Sequence, residues 1–215
     1  MDKTDLRITE IFYSLQGESR TVGLPTVFVR LTGCPLRCVY CDTAYAFTGG
    51  ERMMQAQVLA TVADYEPAYV TVTGGEPLAQ AACLPLLSAL CDQGYEVSLE
   101  TSGALDLHHV DERVIKVMDL KTPASGEADK NHWENLEALR PQDQVKFVIC
   151  DQEDYDWAKM MLAVHQLPER CEILFSPVHG ELEPQLLAEW ILADRLAVRF
   201  QLQLHKYLWH DEAGR

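Results

Sequence analysis

Residues 26–43 read Thr26-Val27-Phe28-Val29-Arg30-Leu31-Thr32-Gly33-Cys34-Pro35-Leu36-Arg37-Cys38-Val39-Tyr40-Cys41-Asp42-Thr43, an apolar, β-branched run that passes through a glycine into three closely spaced cysteines. The first part, Thr26–Thr32, has the composition of a strand. Val27, Val29 and Leu31 fall on one face, and Phe28, Arg30 and Thr32 on the other. Similar runs recur at Ala68–Thr73, Tyr95–Leu99, Val114–Asp119, Gln144–Cys150, Cys171–Phe175 and Ala197–Leu204. Helical patterns fill the intervals near 53–65, 82–93, 131–139, 153–166 and 184–194, the last opening on Pro184, where a first turn tolerates proline. Strands alternating with helices over short connections imply right-handed βαβ units. The expectation is one α/β domain over residues 1–215, with six to seven mostly parallel strands in an open sheet or a partial (β/α) barrel.

The cysteine loop is one of several irregular segments, each at the C-terminal end of a predicted strand. Gly74-Gly75-Glu76-Pro77 follows the second strand and Glu100-Thr101-Ser102-Gly103 the third. Asp119 and Lys121 close the fourth, and Ser176-Pro177 ends the sixth. Parallel α/β folds place their sites at these strand ends.

Composition narrows the class of function. The formal charge of −15 repels phosphate backbones over most of the surface, so a direct nucleic-acid partner is not expected. No apolar stretch approaches the ~20 residues needed to span a bilayer. Met1-Asp2-Lys3-Thr4-Asp5 lacks the basic-then-apolar pattern of a secretory signal. A cytoplasmic location follows, and there seven cysteines do not form a disulfide framework. Cys83, Cys91, Cys150 and Cys171 stand apart in apolar contexts and read as buried small hydrophobes.

Cys34-x3-Cys38-x2-Cys41 puts three soft thiolates on one short loop, suited to an iron–sulfur cluster or zinc. A structural zinc site wants four ligands, commonly as two paired spacings, and no second pair occurs here. Zinc would have to borrow a distant ligand such as His108 or His132. Three thiolates on a four-iron cube instead leave one iron open, as catalysis requires.

The motif Cys-x3-Cys-x-aromatic-Cys, here Cys34, Cys38, Tyr40 and Cys41, resembles the signature of the radical S-adenosylmethionine (SAM) superfamily. Gly74-Gly75-Glu76-Pro77 is similar to that superfamily's second motif. The resemblance implies a full or partial (β/α) barrel and a [4Fe–4S] cluster whose unique iron binds the amino and carboxylate groups of SAM. Physically, glycines allow close backbone approach, and Glu76 can accept from an ammonium.

Other residues bear on the substrate. Arg30 lies on an interior parallel strand, so its guanidinium needs an anionic partner. Glu10 or Glu18 would make a structural ion pair; a substrate carboxylate, gripped bidentately, is the functional alternative. Asp42 and Thr43 offer hard oxygens for Mg²⁺ or a cap for the next turn. Gln201–Tyr207 reads as a continuation of strand alternation, with His205 on it.

Together with Leu15-Gln16-Gly17-Glu18, Glu100–Gly103 and His205–Leu208, these residues resemble the 7-carboxy-7-deazaguanine synthase family along nearly the whole chain. That resemblance implies ring contraction of 6-carboxy-5,6,7,8-tetrahydropterin to 7-carboxy-7-deazaguanine, on the route to queuosine. It implies that Leu15, Gln16, Gly17, Glu18, Arg30, Thr73 and His205 meet the pterin and that Thr43 binds Mg²⁺. Tyr40, Asp42, Gly75, Glu76, Ser102, Asp119, Lys121 and Ser176 would line the SAM pocket. Asp119-Leu120-Lys121 stands where the family carries Ser-Pro-Lys, and this chain runs on past Leu208 to Arg215. In the implied course, an electron from a reducing protein such as flavodoxin cleaves SAM to methionine and a 5′-deoxyadenosyl radical, which takes hydrogen from C6. The substrate ring then contracts, and ammonia leaves after SAM is regenerated. The family resemblance also implies a homodimer. Two rival readings share the cysteine loop: a small radical SAM activase that makes a glycyl radical on a partner protein, and a zinc-binding interaction module.

Overall fold

In the computed structural model, which describes residues 5–210, 212 and 214, nine strands form one sheet. The Met1–Thr4 start, read above for a missing signal, lies outside the described residues. The strands are β1 (Asp5–Leu15), β2 (Pro25–Leu31), β3 (Glu51–Met54), β4 (Tyr69–Gly74), β5 (Glu96–Thr101), β6 (Ile115–Asp119), β7 (Gln144–Ile149), β8 (Glu172–Pro177) and β9 (Arg199–Phe200). Their order is β3-β1-β2-β4-β5-β6-β7-β8-β9. From β2 to β9 every pairing is parallel, while β1 pairs antiparallel with both β2 and β3. β3 and β9 are the two edges, so the sheet is open rather than a closed barrel.

The two faces of the sheet differ as period-two alternation dictates. Val27, Val29, Leu31, Val72, Leu99, Phe147 and Phe175 join one core cluster with the apolar sides of four helices. These are α1 (Gln55–Ala63), α2 (Cys83–Asp92), α3 (Gln152–Val164) and α4 (Pro184–Asp194). In α2 the buried positions Cys83, Leu86, Leu87 and Leu90 follow the helical period, so one stripe faces the sheet. Asp151 caps α3 by accepting from the Asp154 N–H at 2.9 Å. The opposite face carries Arg30, Thr73, Glu100, Asp119 and Lys146 toward the C-terminal strand ends.

Several sequence expectations need correction. β1 and β3 carry no clear alternation; a register shift between Ile8 and Glu10 breaks the period of β1. The expected strand over 197–204 is only Arg199–Phe200, an edge strand paired with β8 alone. The chain then turns into a helix, α5 (Leu204–Trp209), rather than continuing as strand. Residues 131–139 form a 3₁₀ turn at Trp133–Ala138 instead of an α-helix. There Asn135 directs its side chain inward, donating to the Gly103 and Leu105 carbonyls and accepting from the Leu107 N–H. Among the dispersed cysteines, Cys83 and Cys171 are buried, but Cys91 and Cys150 are only partly so. Among the described residues no helix is long and apolar enough to cross a membrane.

Candidate active site

The loop after β2 is held from two sides. The Glu76 N–H donates to the Gly33 carbonyl at 2.8 Å, and the Val39 N–H donates to the Ser125 carbonyl at 3.0 Å. A Cβ on Gly75 would sit 2.4 Å from the Gly33 carbonyl oxygen and 2.7 Å from the Cys34 Cβ, so only glycine lets the two loops pack together. Arg37 braces the loop by donating to the Cys34 carbonyl at 2.7 Å, with its guanidinium over the Phe47 ring. The Tyr40 hydroxyl reaches Thr122 at 3.1 Å and the Val148 carbonyl at 3.3 Å.

These contacts place Cys34, Cys38 and Cys41 on the wall of a cavity of about 360 Å³ at the C-terminal ends of the strands. Every residue assigned to the site from the sequence lines it, except Glu76 and Ser176. Glu76 is fully buried, and its carboxylate accepts from Leu78 N–H, Thr101 Oγ1, and both the N–H and Oγ of Ser102. It is a bracket between the loops after β4 and β5, with its oxygens already satisfied by the chain's own donors. Ser176 is buried on β8, and its hydroxyl has no partner among the described residues.

One end of the cavity is built from β1, β2 and the Gln16–Ser19 loop. Arg30 is paired in register with Glu10 across β1 and β2, and its Nε donates to the Glu10 carboxylate at 2.7 Å. This pair answers the choice between Glu10 and Glu18: Glu10 is the structural partner. The guanidinium lies between the Phe12 and Tyr45 rings, each 5.8 Å away, and borders the cavity. Glu18 pairs instead with Lys146, whose Nζ lies 2.5 Å from Oε2. Burial pushes the Glu18 carboxyl up, yet the Lys146 ammonium, with help from Gln203, holds it down to about 2. Glu100 accepts from Gln16 and Thr73; burial, then repulsion by Glu18, raises its carboxyl.

α5 closes this end. The Leu204 N–H donates to the Gly17 carbonyl at 2.9 Å, and a Cβ on Gly17 would lie 2.2 Å from the His205 Nδ1. Gln201 reads the backbone of Ser19, accepting from its N–H at 2.7 Å and donating to its carbonyl at 2.9 Å. Burial lowers the pKa of His205, so its ring is neutral at pH 7.

The cysteine end has the donors for the expected groups. Cys34, Cys38 and Cys41 are free thiols. Among the described residues no three His, Cys, Asp or Glu side chains converge on one ion. Thiolates that each bind a different iron of a cube need not converge on one point. Asp119 pairs with Lys121 at 3.1 Å and with Lys146 at 3.5 Å through Oδ2, while its buried Oδ1 faces no partner among the described residues. Burial raises the thiols of Cys34 and Cys38, so deprotonation there needs a metal or cation nearby. Thr43 precedes the 3₁₀ turn Ala44–Phe47 without capping it, and its hydroxyl lies 3.8 Å from the Cys41 Sγ at the cavity wall.

Lys146, Gln203 and Phe12 also line the site and were given no role from the sequence, and Glu100, which lines it too, was marked there only as part of the Glu100–Gly103 segment. Lys146 had a signal: a lysine inside the apolar strand Gln144–Ile149, the same signal that marked Arg30.

Comparison with known proteins agrees with this arrangement. The family model described as the radical SAM superfamily matches residues 28–122. A 7-carboxy-7-deazaguanine synthase of Chlorobaculum tepidum is 48% identical over 97% of this chain and 96% of its own length. Another, of Koribacter versatilis, is 44% identical over 96% of this chain and 98% of its own. Among solved structures, QueE from Escherichia coli superposes with a TM-score of 0.78 at 23% identity, covering 94% of this chain and 95% of that one, which shows a shared fold. The chain belongs to the radical SAM superfamily and, within it, to the 7-carboxy-7-deazaguanine synthase family.

Proposed function

We propose that this chain converts 6-carboxy-5,6,7,8-tetrahydropterin to 7-carboxy-7-deazaguanine with loss of ammonia, as one domain in the cytoplasm. The observation that carries this reading is a single cavity with three free thiols at one end and Arg30, Glu18, Gln16 and His205 at the other. Superfamily membership implies a [4Fe–4S] cluster and SAM, and the enzyme class implies Mg²⁺. When bound, these groups supply the one-electron cleavage and the carbon radical that takes hydrogen from the substrate.

The chain's own residues hold, orient and shield. Cys34, Cys38 and Cys41 would hold three irons of the cluster, leaving the fourth for the cofactor's amino acid end. Gly75 lets backbone approach that end, Lys121 offers a cation to its carboxylate, and the free oxygen of Asp119 accepts from an N–H or O–H. Tyr40, Asp42 and Ser102 complete that wall. Arg30, already fixed by Glu10 through Nε, turns its remaining N–H groups to the substrate carboxylate. Glu18, held ionised, accepts from ring N–H donors, while Gln16, Thr73 and neutral His205 exchange further hydrogen bonds. Thr43 supplies a hard oxygen to Mg²⁺. α5 covers this end and keeps water from a reactive radical. The electron would come from a reducing protein such as flavodoxin, and the assembly would be a homodimer, both readings supported by the family resemblance.

The test is anaerobic incubation of cluster-reconstituted protein with dithionite, SAM, Mg²⁺ and the carboxytetrahydropterin, followed by mass spectrometry. The reading predicts 7-carboxy-7-deazaguanine and released ammonia. Deoxyadenosine formed without that product, or a glycyl radical raised on a partner protein, would overturn it in favour of an activase.

A further inference from the structure

β7 sends one cation into the cavity. Lys146 lies in register with Asp119 of β6, so the two side chains project from neighbouring strands on the same face. Its ammonium touches Glu18 Oε2 at 2.5 Å and Asp119 Oδ2 at 3.5 Å, and its side chain is 12% exposed. It therefore stands between the end assigned to the substrate and the end assigned to the cofactor. The charged and titratable groups facing it come from every neighbouring element: Glu18 from the loop after β1, Glu100 from β5, Asp119 and Lys121 from the end of β6, and His205 from α5. Asp119 keeps Lys121 as a second cation at 3.1 Å, whereas Lys146 is the only cation within ion-pair distance of Glu18 among the described residues.

We infer that Lys146 is a positioning residue for substrate selection, which holds Glu18 as an anion with its carboxylate aimed at the N–H donors of a pterin-type ring. The inference rests on the function proposed above. Two features favour action through Glu18 rather than direct contact. The ammonium's shortest contact is to that carboxylate, and its second, Asp119, restrains it from swinging toward the cavity centre. A buried carboxylate that loses its cation takes up a proton more readily, and a protonated Glu18 no longer accepts from two ring N–H groups.

The experiment measures binding of oxidised 6-carboxypterin to anaerobic, cluster-loaded, SAM-bound protein across pH 6–8 by ligand fluorescence. Wild type, K146M, K146R, E18Q and the double variant K146M/E18Q are compared. Wild type is expected to bind with little pH dependence, because its Glu18 stays ionised throughout. K146M should bind about tenfold weaker or worse at pH 7, the scale expected for a broken buried charge pair, and recover as pH rises. K146R should restore most of the affinity. SAM affinity should change little, since Lys121 still pairs with Asp119. E18Q and K146M/E18Q should bind alike; this arm holds even if K146M alone fails to fold, because the double variant leaves no carboxylate stranded at position 18. Equal affinity and a flat pH profile in K146M, or a double variant markedly weaker than E18Q, overturns the assignment of Lys146 alone. No binding by wild type overturns the proposed function together with it.

Discussion

Arg30 and Lys146 are the two cations that interior parallel strands carry into the cavity, and each has its carboxylate: Glu10 at 2.7 Å and Glu18 at 2.5 Å. Arg30 differs because only its Nε is engaged by the chain among the described residues, leaving the outer edge for an anion. Replacing Arg30 by alanine is expected to weaken carboxypterin binding about tenfold or more while iron content stays at the wild-type level. Loss of the cluster in that variant would instead make Arg30 a structural residue of the cysteine loop. This part of the site was legible in the sequence because a charged residue inside an alternating strand stands out. Glu76 shows where such reading stops: the glycine-rich motif marks the residue, but not that its oxygens accept from Thr101, Ser102 and Leu78. Hydrogen bonds between distant loops have no local sequence signal.

Among the elements, α5 borders the cavity beside Glu18, and Gly17 decides how closely α5 can approach. Gly17→Ala would place a methyl carbon 2.2 Å from the His205 ring nitrogen and 3.2 Å from its backbone nitrogen, so the His205 ring must turn away or α5 must shift. The expected result is a raised KM for the pterin with a melting temperature close to wild type, since α5 buries none of its own residues fully. Unchanged KM would mean that the helix does not shape the pocket. The central parallel strands were readable because burial on both faces selects continuous β-branched runs. β1 was not, since its bulge splits the pattern, and α5 was not, because six residues span less than two turns and show no helical stripe.

At the scale of the whole molecule, the helix-covered face holds the sheet together and the other face does the chemistry. Lys116 and Asp143 make a buried ion pair at 2.9 Å on the helix-covered side, and Asp143 also accepts from the Lys116 and Arg140 N–H groups. Asp143→Ala leaves that cation unpaired and should destabilise the fold by about 3–5 kcal/mol in urea titration. Turnover per folded molecule should persist, because neither residue borders the cavity. A net charge of −15 surrounds a cavity that nevertheless gathers Arg30, Lys121 and Lys146, so carboxylate-bearing ligands meet local cations within an acidic protein.

Cys34, Cys38 and Cys41 are proposed to hold a cube with one open iron for SAM. Iron analysis with electron paramagnetic resonance of the anaerobically reduced protein, before and after SAM, addresses it directly. The expected result is about four irons per chain, a reduced-cluster signal that shifts on adding SAM, and loss of that signal on changing any of the three cysteines to serine. A signal indifferent to SAM, or a cluster that survives serine at all three positions, would contradict it.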